Sequence, residues 1–246
     1  MTTSNTRYAI YWLPPEGSYL WKKGSRWFGY DSYKSSQVDR QDIVDLNPAV
    51  IDQETIISLT QRPARYGFHA TLKAPFYLDD AYTENDLVEA TKALCAKQSA
   101  VLSADLRIVD LNTYIAMSLG GAKEAPELAS LVDVLVEQLD VFRRPMSAED
   151  RQQRITKGEG LDARGIELLD QWGYPSVKER FHCHLTLADT PLTTAEKLDK
   201  SLLLSFLNEY FADALNGKAL VDRITILKQV DGKPFTVLGT IHLKSL

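Results

Sequence analysis

Thiol chemistry is scarce in this chain: there are two cysteines in 246 residues. Cys95 and Cys183 both fall in apolar-patterned segments, which reads as two buried free thiols and excludes a disulfide-stapled fold. No apolar run approaches the roughly 20 residues of a membrane helix. Residues Met1 to Arg7 lack the basic-then-apolar layout of a signal peptide, so the expectation is a cytoplasmic protein with no membrane partner. An excess of basic charge is missing as well. With 28 Lys and Arg against 33 Asp and Glu, the formal net charge is −5, which argues against broad adhesion to nucleic acid or acidic membranes and leaves room for a local basic pocket. A hydrophobic fraction of 44% and a charged fraction of 25% are those of an ordinary globular protein. The length suits one large domain or two intimately packed lobes.

Histidine is also rare, with four in the chain, and two of them lie in one pattern. Phe68-His69-Ala70-Thr71-Leu72-Lys73 and Cys183-His184-Leu185-Thr186-Leu187 each hold a His-x-Thr tripeptide with apolar residues in the alternate positions. In a strand, residues two apart point to the same face about 6–7 Å from each other, so each His stands beside its own Thr. Two imidazoles and two hydroxyls suit acid–base chemistry around a tetrahedral, anionic centre.

The remaining segments read as alternating strands and helices. Arg7–Leu13 is an aromatic and branched strand stopped by Pro14-Pro15. Residues 17–50 read mostly as loop, with a short helix opening at Ser18, and Asp52 caps a helix over Gln53–Gln61. Gly67–Leu78 is the first motif strand: Phe68, Ala70, Leu72, Ala74 and Phe76 form its apolar face, and His69, Thr71 and Lys73 form the other. Thr83 to Asp86 is a capping signal before a helix carrying Leu87, Ala90, Leu94 and Cys95. Two strands follow, Val101–Leu111 and Tyr114–Leu119, and Pro126 starts a long amphipathic helix. Ser147–Gly173 is charged and partly helical. Arg180–Ala188 is the second motif strand, Thr194–Leu215 a helix, and Leu220–Val230 with Phe235–Lys244 a closing hairpin. Each motif strand is followed by a helix and then by strands. Such recurrence, with one polar strand face, predicts an α+β fold of two related lobes: antiparallel sheets forming a central cleft, helices outside, one motif strand in each lobe. Residues 1–246 then make a single bilobed domain whose lobes are not contiguous in sequence, with 17–60 and 143–178 as insertions.

Paired His-x-Thr strands in this layout resemble the two-histidine (2H) phosphoesterases, a superfamily that includes RNA 2′,3′-cyclic phosphodiesterases and LigT-like 2′,5′ RNA ligases. Arg7-Tyr8-Ala9-Ile10-Tyr11, Trp27-Phe28-Gly29-Tyr30-Asp31 and the block Tyr66–Phe76 are similar to the branch of that superfamily associated with phosphonate metabolism and carbon–phosphorus lyase operons. The resemblance spans the chain. It departs at Tyr30 and His182, where the branch commonly carries a basic residue.

The resemblance implies hydrolysis of a small cyclic phosphodiester, such as a phosphoribosyl cyclic phosphate, with His69 and His184 exchanging protons and Thr71 and Thr186 binding the phosphoryl oxygens. Lys73, on the face of His69 and Thr71, is expected to touch the phosphate, and Tyr66 and His182 to line the substrate. No cofactor is implied. His182-x-His184 lacks the carboxylate or Cys that would complete a metal set, and His242, with no Thr beside it, reads as structural. The blander interpretation makes both motif histidines polar residues on solvent-facing strands. Two other functions share these residues: an RNA-end 2′,3′-cyclic phosphodiesterase or ligase, which the acidic charge and absence of a basic stripe disfavour, and a non-catalytic nucleotide- or RNA-binding module, which has no need of two titratable imidazoles.

Overall fold

The structure is a computed structural model that describes residues 5–46, 51–157, 161–189 and 199–246. These residues form strands β1 (Thr6–Trp12), β2 (Tyr30–Asp31), β3 (Ser36–Gln37), β4 (Ala70–Tyr77), β5 (Val101–Asp105), β6 (Arg107–Asp110), β7 (Tyr114–Gly121), β8 (His182–Asp189), β9 (Lys218–Val221), β10 (Arg223–Val230) and β11 (Thr236–His242). The helices are α1 (Tyr19–Phe28), α2 (Gln41–Val44), α3 (Gln53–Ala64), α4 (Glu84–Cys95), α5 (Pro126–Gln138), α6 (Ala148–Lys157), α7 (Ala163–Trp172) and α8 (Lys200–Tyr210). The expected helix from Thr194 lies outside the described residues over its first turn.

The fold is α+β. Seven strands make one antiparallel sheet in the order β11-β10-β1-β4-β8-β7-β6. The two motif strands, β4 and β8, are therefore direct neighbours in one sheet, where the sequence suggested a sheet for each. They pair at one register position, Ala70 opposite Leu185, and there a four-stranded half meets a three-stranded half. The recurrence of elements is retained: β4 and β8 are each followed by a helix and three strands, and the first of those, β5 and β9, pair with each other.

Local chemistry explains the elements that frame the cleft. The Ser18 hydroxyl accepts from the Trp21 amide and starts α1, while Gly29, at φ +63°, ends it in the left-handed conformation that glycine adopts without steric cost. The short helix expected to open at Ser18 runs on to Phe28, through residues expected as loop, because burial of Trp27 and Phe28, at 0% and 1% exposure, contributes about 1.5–3 kcal/mol for each large side chain. Trp27 Nε1 also donates to the Leu187 carbonyl on β8 at 2.6 Å. Residues 17–60 thus supply part of the main core, including Ile43, Ile51 and Ile56. Thr83 and Asp86 form the capping box of α4, and Pro126 opens α5.

Alternation holds along β8, where Cys183, Leu185 and Leu187 are buried and His182, His184 and Thr186 are partly exposed. On β4 it holds only through Leu72. The register with β1 slips between Thr71, opposite Tyr11, and Lys73, opposite Ile10. Two residues of β4 there span one of β1, a bulge that breaks the period of two.

Candidate active site

The pairing of Ala70 with Leu185 organises the site. The polar motif residues flanking that pair, His69 just before β4 and Thr71 on it, and His184 and Thr186 on β8, are partly exposed while the paired residues are buried. The two motifs thus meet on one face, while Ala70 and Leu185, both at 0% exposure, anchor the other face in the core. Tyr11 of β1 lies opposite Thr71, and Ser118 of β7 opposite His184, so four strands contribute to this row.

Both imidazoles are held in the same way. His69 Nδ1 lies 2.8 Å from the Gly67 carbonyl oxygen, and His184 Nδ1 lies 2.8 Å from that of His182. A carbonyl only accepts, so each Nδ1 carries the proton, and in the neutral ring Nε2 is left as the basic nitrogen. His69 Nε2 receives the Thr71 hydroxyl at 3.2 Å. The carbonyl that holds His69 is aimed by Gly67 at φ +76°, where a Cβ would meet Ser32 Oγ at 1.8 Å.

Burial sets the electrostatics. Removal of His69 from water disfavours its cation and pushes its pKa down to about 4; the Gly67 carbonyl acts in the opposite sense, and the His184 charge adds to the depression. The His184 pKa is lowered as well, first by burial, against the favourable His182 carbonyl. Tyr11 stacks on His69 with ring centroids 3.8 Å apart and planes at 19°. Tyr114 lies beside His184, centroids 5.2 Å apart.

The other expected contacts divide. Tyr66 stays beside the site, its ring 6.3 Å from that of His69 and stacked on Phe235. His182 shares the face of His184, rings 6.2 Å apart, but its Nε2 is engaged by the Ser118 hydroxyl at 2.9 Å. Tyr30 donates to the Phe235 carbonyl.

Lys73 is a correction. It is 3% exposed, and its ammonium donates to Asp140 Oδ1 at 2.8 Å and to the Val136 carbonyl of α5 at 3.2 Å. The β4 bulge turns it from the cleft face to the helix face, so it does not join His69 and Thr71. Burial lowers its pKa, and the Asp140 carboxylate works against that.

The sequence reading missed Tyr11, Tyr114 and Ser118. Each lies on a neighbouring strand with no motif of its own, and only register brings it to the histidines. Among the described residues, no group of three or more His, Cys, Asp or Glu side chains is arranged to hold a metal ion, and no helix is long and apolar enough to cross a membrane.

The chain belongs to the family described as "Protein of unknown function (DUF1045)", which matches residues 71–236. It is 32% identical over 234 residues to a ribose 1,5-bisphosphate phosphokinase PhnN of Janthinobacterium sp. (strain Marseille), covering 94% of this chain and 49% of that protein. It is 33% identical over 182 residues to the protein of the same name from Laribacter hongkongensis (strain HLHK9), covering 74% of this chain and 39% of the relative. The chain thus spans about half the length, or less, of the curated relatives it matches. Two solved structures align over 97% and 98% of the chain, one described as a phosphoesterase and the other as E. coli LigT in apo form. Their identities are 12% and 10%, and their TM-scores 0.41 and 0.40.

Proposed function

We propose that the chain is a phosphodiesterase that opens a small cyclic phosphodiester by paired histidine acid–base catalysis. The observation that supports this most is the pairing of Ala70 with Leu185, which brings the two motifs together, with both rings tethered through Nδ1. A phosphorus atom between the motifs then has an imidazole Nε2 on either side and hydroxyls for its non-bridging oxygens. His69, with the pKa of about 4, is neutral near pH 7 and suits the general base. It takes a proton from water as the water oxygen bonds to phosphorus. His184, protonated when the phosphate anion enters, gives its Nε2 proton to the departing sugar oxygen as the P–O bond breaks. Thr71 and Thr186 donate to the oxygens on which charge grows, a role in which prearranged donors contribute most to catalysis. No step calls on a Lewis acid.

The finer reading is a ribose 1,2-cyclic phosphate that carries a 5-phosphate. Water attack with departure of O2 yields ribose 1,5-bisphosphate, the compound that the relatives' name gives as a kinase substrate. Turnover of a panel of ribose 1,2-cyclic phosphates, with and without the 5-phosphate, and nucleoside 2′,3′-cyclic phosphates, followed by ³¹P NMR, tests it. Preference for the ribose 1,2-cyclic compounds is expected; preference for the nucleosides moves the substrate to RNA ends, and no turnover of any member overturns the hydrolase reading.

A further inference from the structure

Tyr11 lies face to face with His69. The ring centroids are 3.8 Å apart and the planes meet at 19°, and Tyr11 is buried while His69 is partly exposed. The phenol is therefore a floor beneath the imidazole. His184 has no such floor among the described residues: Tyr114 lies at 5.2 Å and 35° from it, and His182 at 6.2 Å and 26°. Both imidazoles are tethered through Nδ1, and the stack on Tyr11 is what distinguishes them.

The backbone is irregular at the point that puts Tyr11 there. At the start of β1, Arg7 lies opposite Tyr77 and Tyr8 opposite Phe76. Continued without a break, that register would set Tyr11 opposite Lys73. Two shifts, one between Tyr8 and Ile10 and one between Ile10 and Tyr11, set it opposite Thr71 instead. Bulges of this kind disrupt the ladder and re-aim side chains beside active sites. On the other side Tyr11 lies opposite Thr225 of β10, which is buried. The buried Phe235 ring, 6.1 Å away between centroids, packs against the phenol and fixes it in turn.

Two restraints thus act on one imidazole in different directions. The hydrogen bond from Nδ1 to the Gly67 carbonyl directs one edge of the ring, and the stack opposes tilting out of its plane. Nε2 is left directed at the Thr71 hydroxyl, 3.2 Å away. Such restraint matters because misplacement of a reacting group by about 1 Å can cost on the order of 10²-fold in rate.

We infer that Tyr11 is a positioning residue, whose ring holds His69 with Nδ1 on the Gly67 carbonyl and Nε2 facing Thr71. For its kinetic consequence the inference rests on the phosphodiesterase reading, and it adds an inequality between the two histidines: His69 is clamped by a tether and a floor, His184 by a tether.

The test uses the full chain with Tyr11→Phe, which keeps the ring, and Tyr11→Leu, which removes it. Tyr11→Met, whose flexible side chain fills the space without a ring, replaces Tyr11→Leu if that variant does not fold. Long-range ¹H–¹⁵N spectra, assigned with His69→Gln and His184→Gln, read the tautomer of each histidine without turnover. In the wild type His69 should be the Nδ1–H tautomer, and the Tyr11 ring current should shift its ring protons upfield of those of His184. Loss of the ring should mix the tautomers of His69 and leave His184 as it was. On whichever cyclic phosphate the wild type prefers, the same change should lower kcat about 10–100-fold with KM nearly constant, while Tyr11→Phe stays close to the wild type in both readouts. A wild-type His69 without the upfield shift, a tautomer indifferent to the ring, an equal change at His184, or a Tyr11→Phe as impaired as Tyr11→Leu overturns the inference. Should the wild type turn over no cyclic phosphate, the phosphodiesterase reading fails, and the spectra alone judge the role of Tyr11.

Discussion

Ala70 on β4 lies directly opposite Leu185 on β8, and this apolar pair at the middle of each tripeptide makes two separate motifs into one site. Both side chains point into the core at 0% exposure, so the polar residues flanking them face the other way together. A slip of one residue in that register would send the histidines into the core and the alanine and leucine into the cleft.

From this arrangement, His69→Ala and His184→Ala are each expected to lower kcat/KM by about 10²–10⁴-fold, the usual contribution of a positioned proton-transfer group. The double variant should lose less than the product of the single losses, because both groups act in one transition state. Thr71→Ala and Thr186→Ala, which remove neutral hydrogen bonds, should cost less. Steady-state kinetics on variants whose circular dichroism matches the wild type decide this. Wild-type turnover in folded His184→Ala would remove β8 from the mechanism.

The pH profile should lie on the acid side of neutrality. The His69 pKa is about 4 and that of His184 is lowered from the ordinary value near 6.5. A base that stays neutral far into acid, with an acid that loses its proton before pH 6.5, gives a bell in kcat/KM centred below 6.5 rather than one that flanks pH 7. The measurement is kcat/KM from pH 4 to 9 in buffers of constant ionic strength.

Stability follows the same group. Between pH 6.5 and about 4 the unfolded chain protonates His69 and the folded chain does not, so stability present above 6.5 is lost as pH falls toward 4. His69→Gln should flatten that dependence. Denaturant melts of both proteins at pH 7.5 and 5 check the sign; a wild type that gains stability on acidification by more than the variant contradicts it.

Two structural substitutions separate fold from site. Lys73→Met should lower stability by about 1–3 kcal/mol through loss of the Asp140 and Val136 bonds, seen as a lower thermal midpoint, with little change in KM, because the ammonium does not reach the cleft. Gly67→Ala should lower both stability and kcat. Its φ of +76° disfavours a side chain, and the carbonyl it aims is the one that orients His69.

Activity is expected to survive EDTA, since proton transfer and phosphate binding are assigned to side chains. Loss of turnover restored by zinc or manganese would instead make ligands of His182 and His184.

The sequence by itself determined the local grammar. The Ser18, Asp52 and Thr83 caps, Pro126 at the start of α5 and the alternation along β8 are set by chemistry within a few residues, and so were legible. So was the pairing of each His with its Thr, because a strand's period of two needs no partner to be read. Tertiary structure decided what depends on neighbours. The β4–β8 pairing put both motifs in one sheet where two were expected, since register is chosen by which faces the core buries. The slip against β1 moved Lys73 from phosphate contact to Asp140, because a bulge is a mismatch between two strands and leaves no mark in one. Tyr11, Ser118 and Tyr114 reached the histidines only through the packing of segments remote in the chain.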